Sequence, residues 1–150
     1  MLNIRRALIC FIVAYLLVTI LAVATSLMYE NIANPPQPAP GVSPLQSQVF
    51  VATVPYHVAI MLIVWPIFAG IYFRRRTSGI KERWTLGTFW VVAAMLVDLI
   101  CFVLIKSPYS FSFYEFYVLY QPWLILIYLA IFLSPLIQLV FSTRARIERS

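Results

Sequence analysis

The stretch Trp84–Ile105, WTLGTFWVVAAMLVDLICFVLI, is a long apolar run that contains one carboxylate, Asp98. At about 1.5 Å per residue, the segment from Leu86 to Ile105 forms a helix roughly 30 Å long, which matches the hydrocarbon thickness of a bilayer. A carboxylate inside such a helix costs up to about 3 kcal/mol on membrane-insertion scales. It therefore needs a polar partner or a water-lined cavity.

Mostly small side chains share the helix face of Asp98. Steps of three and four residues along the helix from this acid reach Gly87, Val91, Ala94 and Cys101. Small side chains allow membrane helices to approach closely. This pattern predicts that Asp98 faces neighbouring helices and not lipid.

The composition indicates a membrane protein. Of 150 residues, 63% are hydrophobic and 11% are charged, whereas soluble domains are about 25% charged. Four apolar segments leave no room for a separate soluble domain. We predict an all-α fold with one domain, an integral membrane four-helix bundle with spans at about 7–28, 49–73, 85–105 and 118–141.

The positive charges predict the orientation. The net charge is +6, and cations are concentrated in three clusters: Arg5 and Arg6; Arg74, Arg75, Arg76, Lys81 and Arg83; and Arg144, Arg146 and Arg149. This alternation follows the positive-inside rule. It predicts a multi-pass protein of the cell membrane with both termini and a basic loop, 74–84, in the cytoplasm. The clusters can attract anionic lipid headgroups, so the expected partner of these charges is the lipid bilayer and not nucleic acid.

The first span also has features of a signal peptide. Ala22-Val23-Ala24 resembles a signal-peptidase site, but the apolar run is about twenty residues long, beyond the roughly 7 to 15 of a signal sequence. We expect an uncleaved span. Its removal would leave three spans with their orientation unchanged.

Two outer loops have unusual compositions. Five prolines in the loop 29–48 predict an extended connector, with a polyproline ligand as the alternative. The loop 106–117 and the start of the fourth span are rich in aromatic residues, which predicts an aromatic belt at the outer membrane surface. The alternative is a lid or groove for a lipid, a quinone or a membrane partner. The expected rim is Tyr109, Phe113, Tyr114, Tyr117, Tyr120 and Trp123.

His57 is the only histidine. Counted from the outer ends of their spans, His57 lies about 12 Å deep and Asp98 about 10 Å deep. The short loop between the second and third spans predicts that these helices are neighbours, which would place the two side chains together. The expected polar cluster is Asp98, His57, Tyr56, Thr53, Thr19 and Gln121.

Three interpretations of this cluster remain open: a structural clasp between helices, proton or cation coupling, and a ligand or catalytic site. The residues that enzyme chemistry requires are incomplete. No nucleophile is paired with a base, and His57 with Asp98 gives one ligand fewer than the roughly three that a catalytic metal site needs. No Gly-rich phosphate loop is present. We therefore expect no enzyme activity, no metal and no cofactor.

The leading functional hypothesis is a non-enzymatic accessory or interaction subunit of a membrane assembly. It would contact a membrane-protein partner or further copies of itself through its helix faces and aromatic rim. The alternative is a small oligomeric proton-coupled carrier that uses Asp98 and His57.

The start of the fourth span is ambiguous. An unbroken helix from Phe113 would be much longer than the bilayer is thick, so we expect a kink at Pro122. Ser134-Pro135 offers a second break.

Overall fold

Four long helices make up most of the chain. A computed structural model describes residues 2–36, 39, 41–74, 79–106 and 110–147, and the side chains of 144–147 lie outside this description. The long helices are α1 (Ile4–Ala33), α2 (Gln48–Phe73), α3 (Ile80–Asp98) and α4 (Trp123–Ile147). Four helical segments are long and apolar enough to cross a membrane: α1, α2, α3 with its continuation to Leu104, and Trp123–Thr143 of α4. The described ranges contain helices and no strand, so the predicted all-α class is confirmed.

Short helical segments lie between the long ones. A 3₁₀ turn, Pro44–Gln46, precedes α2, and α3 continues as a π-helical segment, Leu99–Leu104. Another π-helical segment, Glu115–Leu119, precedes α4. The chain turns at 120–122 before α4 begins at Trp123, so the fourth span begins after Pro122 and not at 118.

The first helix is longer than the predicted span. Asn3 caps its start, because its side-chain Oδ1 accepts a hydrogen bond from the Arg6 backbone N–H at 3.0 Å. The helix ends at Ala33, where Asn34 takes the left-handed conformation with φ of 42° and Pro35 follows. Asparagine tolerates this conformation, and proline cannot continue a helix.

The arrangement of the helices differs from the predicted one. Helix α2 packs against α1 and α4, and α3 packs closely against α4 and less closely against α1. Helices α2 and α3 therefore occupy opposite corners and meet at the centre, where the rings of Trp65 and Trp90 lie 5.3 Å apart. The prediction that they are neighbours is wrong.

Chain length explains why a short loop does not make these helices neighbours. Six residues separate Phe73 from Ile80, and an extended chain of that length reaches roughly 20 Å. The diagonal of a bundle whose helices lie 8–10 Å apart is only about 13 Å. The loop can therefore connect opposite corners as easily as adjacent ones.

Helices α3 and α4 approach at Gly87. A Cβ atom at this position would lie closer than 3.0 Å to the carbonyl oxygen of Phe132. One turn away, the buried Arg83 guanidinium donates to the Pro135 carbonyl at 2.7 Å and to Gln138 Oε1 at 2.6 Å. The small side chain at Gly87 thus brings two backbones together, and Arg83 ties the same pair of helices.

The predicted break at Ser134-Pro135 is accommodated within α4. Proline has no N–H, so Pro135 cannot donate to the carbonyl oxygen of Ile131 in the usual helical bond. The Ser134 hydroxyl donates to that oxygen instead, at 2.7 Å. Helix α4 therefore passes through Pro135 without ending.

The ends of the bundle differ chemically. Arg5, Arg6 and Lys81 lie where α1 and α3 begin, and Arg74 lies where α2 ends. We call this the basic end, and we call the opposite end, which carries the segment Glu115–Leu119, the aromatic end. Arg6 also donates to the Ile71 carbonyl at 2.6 Å, which joins α1 to the end of α2. Of the predicted basic residues, Arg75, Arg76 and Arg149 lie outside the described residues, as do the side chains of Arg144 and Arg146.

Candidate functional site

The carboxylate of Asp98 binds two tyrosines from different helices. The residue is the last of α3, and it is buried, with 8% of its surface exposed. The Tyr15 hydroxyl of α1 donates to Oδ1, and the Tyr128 hydroxyl of α4 donates to Oδ2 at 2.8 Å. One acidic side chain therefore connects α1, α3 and α4.

A second hydrogen bond sets the register of α1 against α3. The Trp90 indole N–H donates to the Ala7 carbonyl at 3.0 Å. From Ala7 to Tyr15 on α1 and from Trp90 to Asp98 on α3 the separation is the same, eight residues or about 12 Å. The two helices therefore run in the same direction and are joined at two matching points.

His57 takes part in a separate polar group. Its Nε2 lies 3.3 Å from Ser26 Oγ, which is itself 3.2 Å from Thr53 Oγ1. Among the hydrogen bonds of the described residues, none joins His57 to Asp98. The predicted direct pairing of the acid with the imidazole is therefore wrong.

Helix α1 shows how far apart the two groups are. Ser26, the partner of His57, lies eleven residues beyond Tyr15, the partner of Asp98, which is about 16 Å along the helix. The predicted match of the two depths requires the outer ends of the spans to be level. The π-helical end of α3 stops only six residues after Asp98, whereas α1 continues well beyond that level.

The six predicted polar residues do not form one cluster. Thr53 is buried beside His57, and Thr19 is exposed, with its hydroxyl bonded to the Tyr15 carbonyl at 2.8 Å. Tyr56 is 62% exposed on the outside of the bundle, and the exposed Gln121 side chain donates to the Tyr117 carbonyl at 3.2 Å. Only His57 and Thr53 share a hydrogen-bonded group.

Sequence reasoning missed Tyr15, Tyr128 and Ser26. A signal was present for the two tyrosines, because a phenol hydroxyl within an apolar span needs a hydrogen-bond partner. Asp98 was the only acid within a predicted span. The tyrosines were the natural donors for it.

A cavity of about 350 Å³ connects the two polar groups. Both Asp98 and His57 line it, together with Tyr15, Ser26 and apolar side chains of all four helices. Trp65 also lines it, and the buried indole N–H of Trp65 has no hydrogen-bond partner among the described residues. Apolar walls with a few polar groups, at this volume, are typical of small-molecule sites.

Four aromatic side chains near the aromatic end line the cavity: Phe102, Phe111, Phe116 and Tyr120. We call these four the aromatic lid. The Phe111 N–H donates to the Phe102 carbonyl at 2.7 Å, and the rings of Phe102 and Phe116 are stacked at 5.8 Å. Burial raises the pKa of Tyr120, and the nearby Asp98 charge raises it further.

The predicted outer rim divides into two groups. Phe113 and Tyr114 are exposed, whereas Tyr117 and Trp123 are half-buried and Tyr120 lines the cavity. Tyr109 lies outside the described residues. The aromatic segment thus faces both the surroundings and the interior.

A capping box holds the segment that carries Phe116. The Ser112 N–H donates to Glu115 Oε2 at 2.8 Å, and the Glu115 N–H donates to Ser112 Oγ at 3.2 Å. The bond from the Ser112 backbone lowers the pKa of the Glu115 carboxyl. Glu115 therefore stabilises the start of this helical segment.

Comparison with protein-family models, with curated proteins and with solved structures finds no match to this chain. Functional inference therefore depends on the contacts described above.

Proposed function

We propose that this chain is a multi-pass protein of the cell membrane with both termini on the cytoplasmic side. All four helices expose large apolar side chains on their outer faces, among them Leu16, Ile63, Leu96 and Ile125. Large exposed apolar surfaces of this kind favour contact with lipid over contact with water. The cations at the basic end favour a cytoplasmic position for that end.

Cysteine labelling tests the orientation. In a background with Cys10→Ser and Cys101→Ser, a membrane-impermeant maleimide should label Val42→Cys in intact cells. It should label Lys81→Cys only after the membrane is permeabilised. The reverse pattern would overturn the proposed orientation.

Within the membrane, the proposed role is non-enzymatic: an accessory or interaction subunit that binds a small, mainly apolar molecule at its aromatic end. The observation that carries this proposal is the cavity of about 350 Å³ beneath the aromatic lid. The cavity is partly open, so a molecule from the surroundings of the bundle can enter it. Its apolar walls match a ligand that partitions into the membrane.

Purification in mild detergent, followed by mass spectrometry of what remains bound, tests this role. We expect a small apolar molecule in the wild type, with a membrane protein in fixed ratio if the chain serves an assembly. Phe116→Ala should lose the small molecule, because Phe116 is 4% exposed and lines the cavity. Phe113→Ala is the matched control, since Phe113 is 63% exposed. Equal retention by both variants would count against the cavity as the binding site.

A carrier is the second candidate, and the position of Asp98 favours it. This acid lines the cavity and is reached by α1 and α4, so a change in its protonation would affect the contacts of three helices. Coupling would depend on Asp98 and its two tyrosines, without His57. Proton flux in proteoliposomes, lost in Asp98→Asn and kept in the exposed-acid control Glu30→Gln, would support a carrier over an accessory subunit.

A further inference from the structure

The cavity wall has few acidic or basic side chains. Among the described residues that line it, Asp98 is the only acid, His57 is the only base, and none is lysine or arginine. The described cations at the basic end are far from it along the helices. The imidazole of His57 lies beside Ser26, about 16 Å along α1 from the level of Asp98, and the exposed Lys106 is not among the lining residues. A bound molecule beside Asp98 would therefore meet an acidic group with no lysine or arginine next to it.

The carboxylate has unused hydrogen-bonding capacity. An ionised carboxylate offers about four acceptor positions, and the hydroxyls of Tyr15 and Tyr128 occupy one on each oxygen. Both tyrosines donate without supplying a positive charge. When Asp98 is ionised, its charge therefore has no positive partner in these two hydrogen bonds, while its side chain is held in place.

The aromatic side chains of the cavity wall can contact both a cation and the apolar part of a ligand. Phe50, Trp65, Phe102, Phe111, Phe116 and Tyr120 line the cavity. Aromatic faces attract ammonium groups, tryptophan most strongly, and the attraction is greater away from water. Apolar surface and an acidic group thus line the same partly open cavity.

We propose that the cavity binds a lipophilic cation, with its ammonium group beside Asp98 and its apolar part under the aromatic lid. This inference rests on the proposed ligand-binding function and specifies the chemical class of the ligand. A volume of about 350 Å³ is at the lower end of the range for drug-sized ligands. The ligand is therefore small, of the size of one aromatic ring with a substituted ammonium group.

Three probes of similar shape test the charge preference: benzyltrimethylammonium, its neutral isostere neopentylbenzene, and the anion phenylmethanesulfonate. Equilibrium dialysis would use the full-length chain in phosphatidylcholine nanodiscs, with empty nanodiscs to correct for partitioning into lipid. We expect the cation to bind about tenfold more tightly than the neutral isostere, which is at the lower end of the coupling measured for close charge pairs at protein interfaces. The anion should bind most weakly.

Asp98→Asn should reduce cation binding to the level of the neutral probe and leave the neutral probe unchanged. Glu30→Gln is the matched control, because Glu30 is exposed and does not line the cavity. If Asp98→Asn does not fold, the ranking of the three probes on the wild type decides. Equal binding of cation and neutral isostere would overturn the charge preference alone, whereas binding of none of the three would overturn the ligand-binding function as well.

Discussion

Tyr15 of α1 donates a hydrogen bond to Asp98 of α3, eight residues beyond the point where Trp90 of α3 donates to the Ala7 carbonyl of α1. The backbones of these two helices approach each other less closely than those of the other packed pairs. Polar contacts at two matching points therefore fix their register. Because Tyr128 of α4 binds the same carboxylate, Asp98 also determines how α4 sits against the pair.

Removal of either tyrosine hydroxyl should destabilise the bundle. We expect Tyr15→Phe and Tyr128→Phe each to lower the free energy of unfolding by about 1–2 kcal/mol, because a charged acceptor loses a donor. The double variant should differ from the sum of the single ones, since both hydroxyls serve one carboxylate. Denaturation in mixed micelles, followed by circular dichroism, measures these changes.

Tyr56→Phe is the control for this series, because Tyr56 is 62% exposed. It should leave the unfolding midpoint unchanged. A loss in Tyr15→Phe no larger than that in Tyr56→Phe would show that Asp98 does not hold α1.

A methyl group at Gly87 should separate α3 from α4. The added Cβ would meet the Phe132 backbone, and overpacking of a tight contact costs about 1–3 kcal/mol. Thermal unfolding of Gly87→Ala should therefore show a clear loss. Gly79→Ala serves as the control, because a Cβ there would meet nothing within 4 Å. Equal stability of the two variants would contradict the close approach at Gly87.

The fold class followed from local signals. Each long helix coincides with an apolar run, and the length of an apolar run needs no knowledge of its neighbours. The arrangement of the helices depends on long-range packing. Gly87 against Phe132 and Trp65 against Trp90 place α3 beside α4 and opposite α2, and no feature of the six-residue connection indicates this.

The site was predictable only in part. Asp98 was expected to face other helices, and its burial and its tyrosine contacts agree with that expectation. Its partners were not predicted, because depth was counted from helix ends that proved not to be level. The sequence does contain a signal for Tyr15, because its hydroxyl lies within an apolar span and needs a hydrogen-bond partner there.

Acidification should loosen the segment Glu115–Leu119. Hydrogen bonding from the Ser112 backbone lowers the pKa of Glu115 below its ordinary value of 4.5. A lowered pKa means that the stabilisation is complete above the ordinary value and is lost as the pH falls through the pKa of the folded state. Near-ultraviolet circular dichroism of the aromatic residues should therefore change below about pH 4.5.

Glu115→Gln should flatten this acid transition, because an amide oxygen still accepts the bond from Ser112 but does not titrate. Glu30→Gln should keep the transition, since Glu30 lies on the exposed side of α1. If Glu115→Gln retained the wild-type transition, another group would be responsible for it.

His57 and Asp98 should act independently, although both line one cavity. Their hydrogen-bond partners on α1 are about 16 Å apart along that helix, and residues without shared partners usually have additive effects to within about 0.5 kcal/mol. The losses in unfolding free energy caused by His57→Gln and by Asp98→Asn should therefore add up, within that limit, to the loss in the double variant. Tyr15→Phe combined with Asp98→Asn provides the comparison, because these residues are in contact and should not be additive. A coupling energy between His57 and Asp98 as large as that between Tyr15 and Asp98 would contradict this prediction. It would mean that the acid and the imidazole share a proton or a bound group. The paired site would then again support the carrier hypothesis.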